Sequence, residues 1–126
     1  MWIQYNPNPV QGKAIDCSVR AVSKALNTDW ESAYALIANN GFMMGDMMVS
    51  NAVWGSVLRQ HGFKREIIPN ECPDCYTLED FAAEHQNGTY VVVMSGHVAT
   101  VLEGHIYDAW DSSHEKPLYY WVKEEK

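Results

Sequence analysis

From Thr89 to Trp110 the chain reads Thr-Tyr-Val-Val-Val-Met-Ser-Gly-His-Val-Ala-Thr-Val-Leu-Glu-Gly-His-Ile-Tyr-Asp-Ala-Trp. β-Branched and apolar residues dominate the run, which suits strands buried in a sheet. Two glycines divide it. Thr89 to Ser95 reads as one strand. His97 to Leu102 and His105 to Trp110 flank Glu103-Gly104, a two-residue hairpin turn. Leu118 to Val122 is a final aromatic strand. Connections this short join antiparallel neighbours, because a parallel crossover needs a dozen residues or more.

The first half of the chain has the opposite character. Asn6-Pro7-Asn8-Pro9 disfavours helix, so the start reads as irregular. Asp16 reads as an N-cap for a helix from Cys17 to about Leu26, with Val19, Val22, Ala25 and Leu26 at helical spacing. Thr28-Asp29-Trp30-Glu31 has the capping-box form and opens a helix to about Asn39, ended by Gly41. Gly41 to Met48, with Met43, Met44, Met47 and Met48, reads as an apolar loop. Its methionines serve either as core filler or as an adaptable peptide groove. Ser50 caps a third helix through Val53, Val57 and Leu58, stopped by Gly62. Phe63 to Ile68 reads as a strand. Thr77-Leu78-Glu79-Asp80 resembles a capping box and opens a short helix ending at Asn87-Gly88. Helices first and consecutive strands afterwards predict an α+β fold, with N-terminal helices packed on a C-terminal antiparallel sheet. The 126 residues fit one domain, 1–126.

Composition narrows the function. Nine Lys and Arg against 16 Asp and Glu give a net charge of −7. That balance excludes a broad basic surface for nucleic acid or anionic lipid. No run of 18 apolar residues exists, so no membrane span is expected. The first residues lack the basic start and apolar core of a signal peptide, which points to the cytoplasm and to free thiols. Three cysteines cannot form a fully paired disulfide framework. Cys72-Pro73-Asp74-Cys75 offers two zinc ligands where a structural site needs four, so no metal is expected there. The pair reads as two free thiols or as a local disulfide. No cofactor is expected, and the oligomeric state is left open. Trp30, Trp54 and Trp121 read as core.

Cys17 falls at the first position of its helix. Unpaired amides and the helix dipole favour negative charge there, and a nearby imidazolium lowers a thiol's pKa further. The plainer alternative is a small buried residue that begins an amphipathic helix. His97 follows Ser95-Gly96 at the start of a strand, with apolar strand on both sides of a glycine break. If Glu103-Gly104 is a two-residue turn, His97 faces Trp110 and Ala99 faces Asp108. His97 and Asp108 are then diagonal neighbours, with a small residue leaving room between them. A three-residue turn brings Asp111 onto that face instead. A carboxylate at either position can fix the imidazole tautomer. Arg20, one turn after Cys17, is placed to pair with a carboxylate and brace the helix.

The order Cys17, His97, Asp108, with Cys at a helix start and His on a following sheet, resembles papain-like cysteine peptidases. It is similar to their small bacterial and phage relatives, including bacteriocin-leader-processing peptidases. Gln11-Gly12 precedes Cys17 at the spacing of that family's oxyanion-hole glutamine. Gly96-His97-Val98-Ala99 resembles its His-strand start. Asp108-Ala109-Trp110 resembles its Asn-Ser-Trp, with Asp for Asn, and Asp16-Cys17-Ser18-Val19-Arg20-Ala21 resembles the Asp-Cys opening of small phage-encoded members. The family's aromatic after Cys is absent, with Ser18 in its place. The resemblance implies a minimal papain-like fold and a cysteine peptidase or amidase. Cys17, His97 and Asp108 (or Asp111) would form the triad, Gln11 the oxyanion hole, and a peptide or isopeptide bond the target. A catalytically silent papain-fold module that binds a protein or peptide is the alternative.

Overall fold

The glycine turns set the strand pairing. In the computed structural model, which describes residues 1–10, 14–69 and 75–124, strand β3 (Thr89–Met94) pairs antiparallel with β4 (His97–Leu102), and β4 with β5 (His105–Asp108). Leu102 pairs with His105, so the turn between them has two residues. Glu103 and Gly104 both take positive φ, 51° and 80°, as a hairpin turn matching the strands' twist requires. Two further strands, β2 (Phe63–Ile67) and β6 (Pro117–Lys123), pair with each other, and β6 also lies against β3. A short strand β1 (Trp2–Gln4) completes a six-stranded sheet of order β1-β5-β4-β3-β6-β2.

The fold is α+β, with the helices mostly ahead of the sheet, as expected from the sequence. The sheet departs from the expectation in one respect: β1 pairs with β5 in parallel, so the sheet is mixed. Irregular structure was the expectation at the start of the chain. Trp2 to Gln4 are extended there because β5 offers them an unpaired edge.

Four helices appear among the described residues: α1 (Cys17–Ala25), α2 (Trp30–Met44), α3 (Asn51–Gln60) and α4 (Leu78–Glu84). Among the described residues, no helix is long and apolar enough to cross a membrane. The β3 side chains alternate between two cores. Val91 and Val93 join Val19, Val22, Ile37, Val57 and Trp121 beneath α1 to α3. Val92 and Met94 join Leu78, Phe81, Val101 and Ile106 beneath α4. Gly55 of α3 lies so close to Trp121 that a Cβ there would sit 2.8 Å from the indole. Glycine is what lets this helix reach the sheet.

The helix ends correct several sequence expectations. Asp29 rather than Thr28 caps α2, accepting from the Ser32 amide at 2.7 Å. Gly41 does not end α2. It is buried inside the helix, where a Cβ would meet the Asp46 carbonyl at 2.9 Å. The left-handed stop is Gly45, at φ 67°. Met43 and Met44 are therefore helical. With Met47 they are exposed rather than core filler, while Met48 packs against the core. Helix α4 ends at Glu84, before Asn87-Gly88, and its Thr77–Asp80 capping box forms in full. Trp54 and Trp121 are core, but Trp30 is only partly buried.

Candidate active site

The site forms where α1 begins, β4 begins and β5 ends. Gly96, at φ 67°, turns the chain out of β3 so that His97 starts β4. The two-residue turn at the other end of β4 fixes the register. Thr100 pairs with Tyr107, so Asp108 comes beside Ala99 and diagonally across from His97. The result is a hydrogen bond of 2.6 Å between His97 Nε2 and Asp108 Oδ2. The Cys17 thiol meets the same ring, whose hydrogen bond and charge favour the thiolate. The Trp110 ring lies over His97 at 4.5 Å between centroids and covers the His–Asp bond on one side.

Asp108 is buried and held from four directions. Oδ2 receives the Ser112 hydroxyl at 2.6 Å as well as His97. Oδ1 receives the Ala109 amide at 2.8 Å and an Arg20 guanidinium nitrogen at 3.5 Å. Its backbone is fixed too, since its carbonyl accepts from the Tyr5 amide at 2.7 Å and the Trp2 indole at 3.1 Å. Asp111, the alternative third member, is exposed and accepts from the Ser113 amide at 3.0 Å. The two-residue turn is the reason it is displaced.

Asp16 occupies the N-cap position of α1 but makes no side-chain capping bond. Its carboxylate instead pairs with Arg20 and accepts from Asn8 Nδ2 at 3.2 Å and from Trp30 Nε1 at 3.0 Å. A stronger partner won: a buried carboxylate gains more from a guanidinium than from a peptide amide. The first-turn amides are thus not taken up by the cap, and Cys17 stands at a positive helix end. Gln11 lies outside the described residues.

Charge in the site is set by opposing effects. Burial pushes the Cys17 thiol up. The hydrogen bond and charge of His97, the Val98 amide and the charge of Arg20 together outweigh it, and the thiol falls below its ordinary value. Burial likewise pushes His97 down, but the hydrogen bonds to Asp108 and Cys17 and their charges raise it to about 9. Both shifts run in the direction that favours a thiolate facing an imidazolium.

Two grooves meet at this pair. One, of about 220 Å³, is lined by Ile15, Val49, Trp54, Val93 and Val98. The other, of about 320 Å³, runs past Asn6, Arg20, Ala109 and Trp110. Cys17 and His97 line both. Sequence reasoning missed Ser112, Asn8 and Trp30 as members of the cluster. They sit in irregular segments or on a helix face read as core, where periodicity carries no signal.

Cys75 is disulfide-bonded and Cys17 is a free thiol, so Cys75 is not the free thiol that was one expectation. Cys72 lies outside the described residues. No group of three or more His, Cys, Asp or Glu among the described residues is arranged to hold a metal ion. Compared with family models, curated proteins and solved structures, the chain matches none.

Proposed function

We propose that the protein is a cysteine peptidase or amidase of the papain-like type, acting on a peptide or isopeptide bond. The observation that carries this reading is the line Cys17–His97–Asp108, in which His97 bonds the buried Asp108 and also meets the Cys17 thiol. A thiolate at a helix start, a base beside it and a carboxylate behind the base are the parts acyl transfer needs. The alternative of a catalytically silent binding module gives no reason for the thiol and imidazole to meet.

In the proposed reaction the Cys17 thiolate attacks the carbonyl carbon. The Cys17 amide at the head of α1 hydrogen-bonds the developing oxyanion, joined by Gln11 if the resemblance holds at that position. Losing one such donor typically costs on the order of 10²–10³ in rate. His97 gives its proton to the leaving amine as the C–N bond breaks, and a thioester remains on Cys17. Water, giving its proton to His97, then attacks the thioester; the C–S bond breaks, the acid leaves, and Cys17 returns as the thiolate beside the imidazolium. Asp108 keeps the ring oriented throughout. The grooves on either side of Cys17 suit an extended peptide lying across the site. A cytoplasmic setting belongs to the same proposal.

The test is alkylation without reductant. Iodoacetamide at neutral pH should label Cys17, located by peptide mapping, far faster than an ordinary thiol, and Cys17→Ala should remove that labelling. An unreactive Cys17 in the folded native protein overturns the reading.

A further inference from the structure

Arg20 is the buried one of the three arginines, with a side chain 10% exposed. Bracing α1 would need only Asp16, one turn earlier on the same helix. The second arm of the guanidinium goes elsewhere, to Asp108 at the end of β5, 88 residues away in sequence. Among the described residues, its buried Nε has no hydrogen-bond partner. A side chain placed for its own satisfaction would not leave a buried donor unmet. Its position is dictated by the two acids.

Those acids flank the reacting pair. Asp16 immediately precedes Cys17, and Asp108 stands behind His97. Oδ2 of Asp108 serves His97, whereas Arg20 takes Oδ1. One guanidinium nitrogen at 3.5 Å joins the Ala109 amide on the far oxygen, and a charge held there bears on the direction in which Oδ2 points. We propose that Arg20 is a positioning residue of this site, one guanidinium tying the backbone that carries the nucleophile to the carboxylate that carries the base. This rests on the proposed function of the site but adds a part to it. The charged and titratable groups facing Arg20 are Asp16 ahead of α1, Cys17 on α1, Asp108 on β5 and, through Asp108, His97 on β4.

The guanidinium's charge also acts on the site. Arg20 favours the Cys17 thiolate, and any positive charge nearby disfavours the imidazolium. Removing it should shift both titrations towards higher pH, by about half a unit to one unit for a charge several Å away. The readout is the rate of Cys17 alkylation by iodoacetamide against pH. It climbs once as the thiol loses its proton, and again as His97 loses its own and releases the thiolate from its ion pair.

In Arg20→Gln both steps are expected to move up together. Asp16→Asn removes the helix brace but leaves the guanidinium on Asp108, and both steps should move down. A purely structural Arg20 would lower the melting temperature in both variants and leave both steps in place, which overturns the inference. If Arg20→Gln fails to fold, Asp16→Asn decides alone, and unmoved steps there count equally against it. The native profile is separate. An ordinary thiol titration in the native protein refutes the proposed function, while the displacement between native and variant still judges Arg20.

Discussion

At His97 burial opposes the hydrogen bonds and charges of its neighbours. Burial disfavours the imidazolium, while Asp108 and Cys17 favour it and win, holding the ring at about 9. The carboxylate is the part that mutation can remove cleanly. In Asp108→Asn the second step of Cys17 alkylation should fall from about 9 towards the ordinary histidine value of 6.5, measured as the rate of labelling from pH 5 to 10. A second step that stays near 9 would mean that Asp108 does not support the ring. Cys17, His97 and Asp108 were legible in the sequence because each depends on a local rule. These rules are a helix start, a glycine break and the period of two across a short turn. Arg20 was legible only as a brace. Its second partner comes from a strand near the other end of the chain, and no local pattern encodes that contact. Asp16 misled for a related reason. Its position marks a cap, but its side chain had a guanidinium within reach.

Among the elements, the β4–β5 hairpin decides which acid meets His97. Its turn places a glutamate, Glu103, at φ 51°, a conformation that costs an ordinary residue roughly 1–2 kcal/mol and asparagine less. Glu103 is exposed, so its side chain can be changed without disturbing the core. Glu103→Asn should stabilise the protein by about 0.5–1 kcal/mol, seen as a melting temperature a few degrees higher. An unchanged or lower value would show that the turn is not strained there. The hairpin was readable because glycine and the strand period act within a few residues of one another. The end of α2 was not. Gly41 has the composition of a stop signal, but it is glycine because the chain folds back on it, with the Asp46 carbonyl too near for a Cβ. A close approach and a C-cap ask for the same residue, and only the packing tells them apart.

For the whole molecule the consequence of the site is a pattern of stability with pH. His97, raised on folding, contributes stability that is complete below about 6.5 and lost as pH rises through about 9. Cys17, lowered on folding from 9.0, contributes stability that is complete above that value and lost as pH falls through its depressed one. Between the depressed Cys17 value and 9 the two trends oppose each other, so the pair's net contribution varies less with pH there than either would alone. In Cys17→Ala only the histidine trend remains. The difference in urea midpoint between native protein and Cys17→Ala should therefore widen as pH rises from 7 to 9. A constant difference would refute the coupling. The α+β order of helices and strands was visible in the caps, the apolar spacing and the turn residues. The sheet's first edge was not, because three residues among prolines carry no periodic signal and their partner strand is remote. That edge also has a meaning in time. The Trp2 indole and the Asp108 carbonyl it grips are 106 residues apart, and contacts of such separation are among the slowest to form. While the chain is being synthesised, Cys17 emerges long before its base and its acid. On the proposed function, a ribosome-bound nascent chain carries an ordinary thiol, and Cys17 gains its neighbours only when the last strands close against the first.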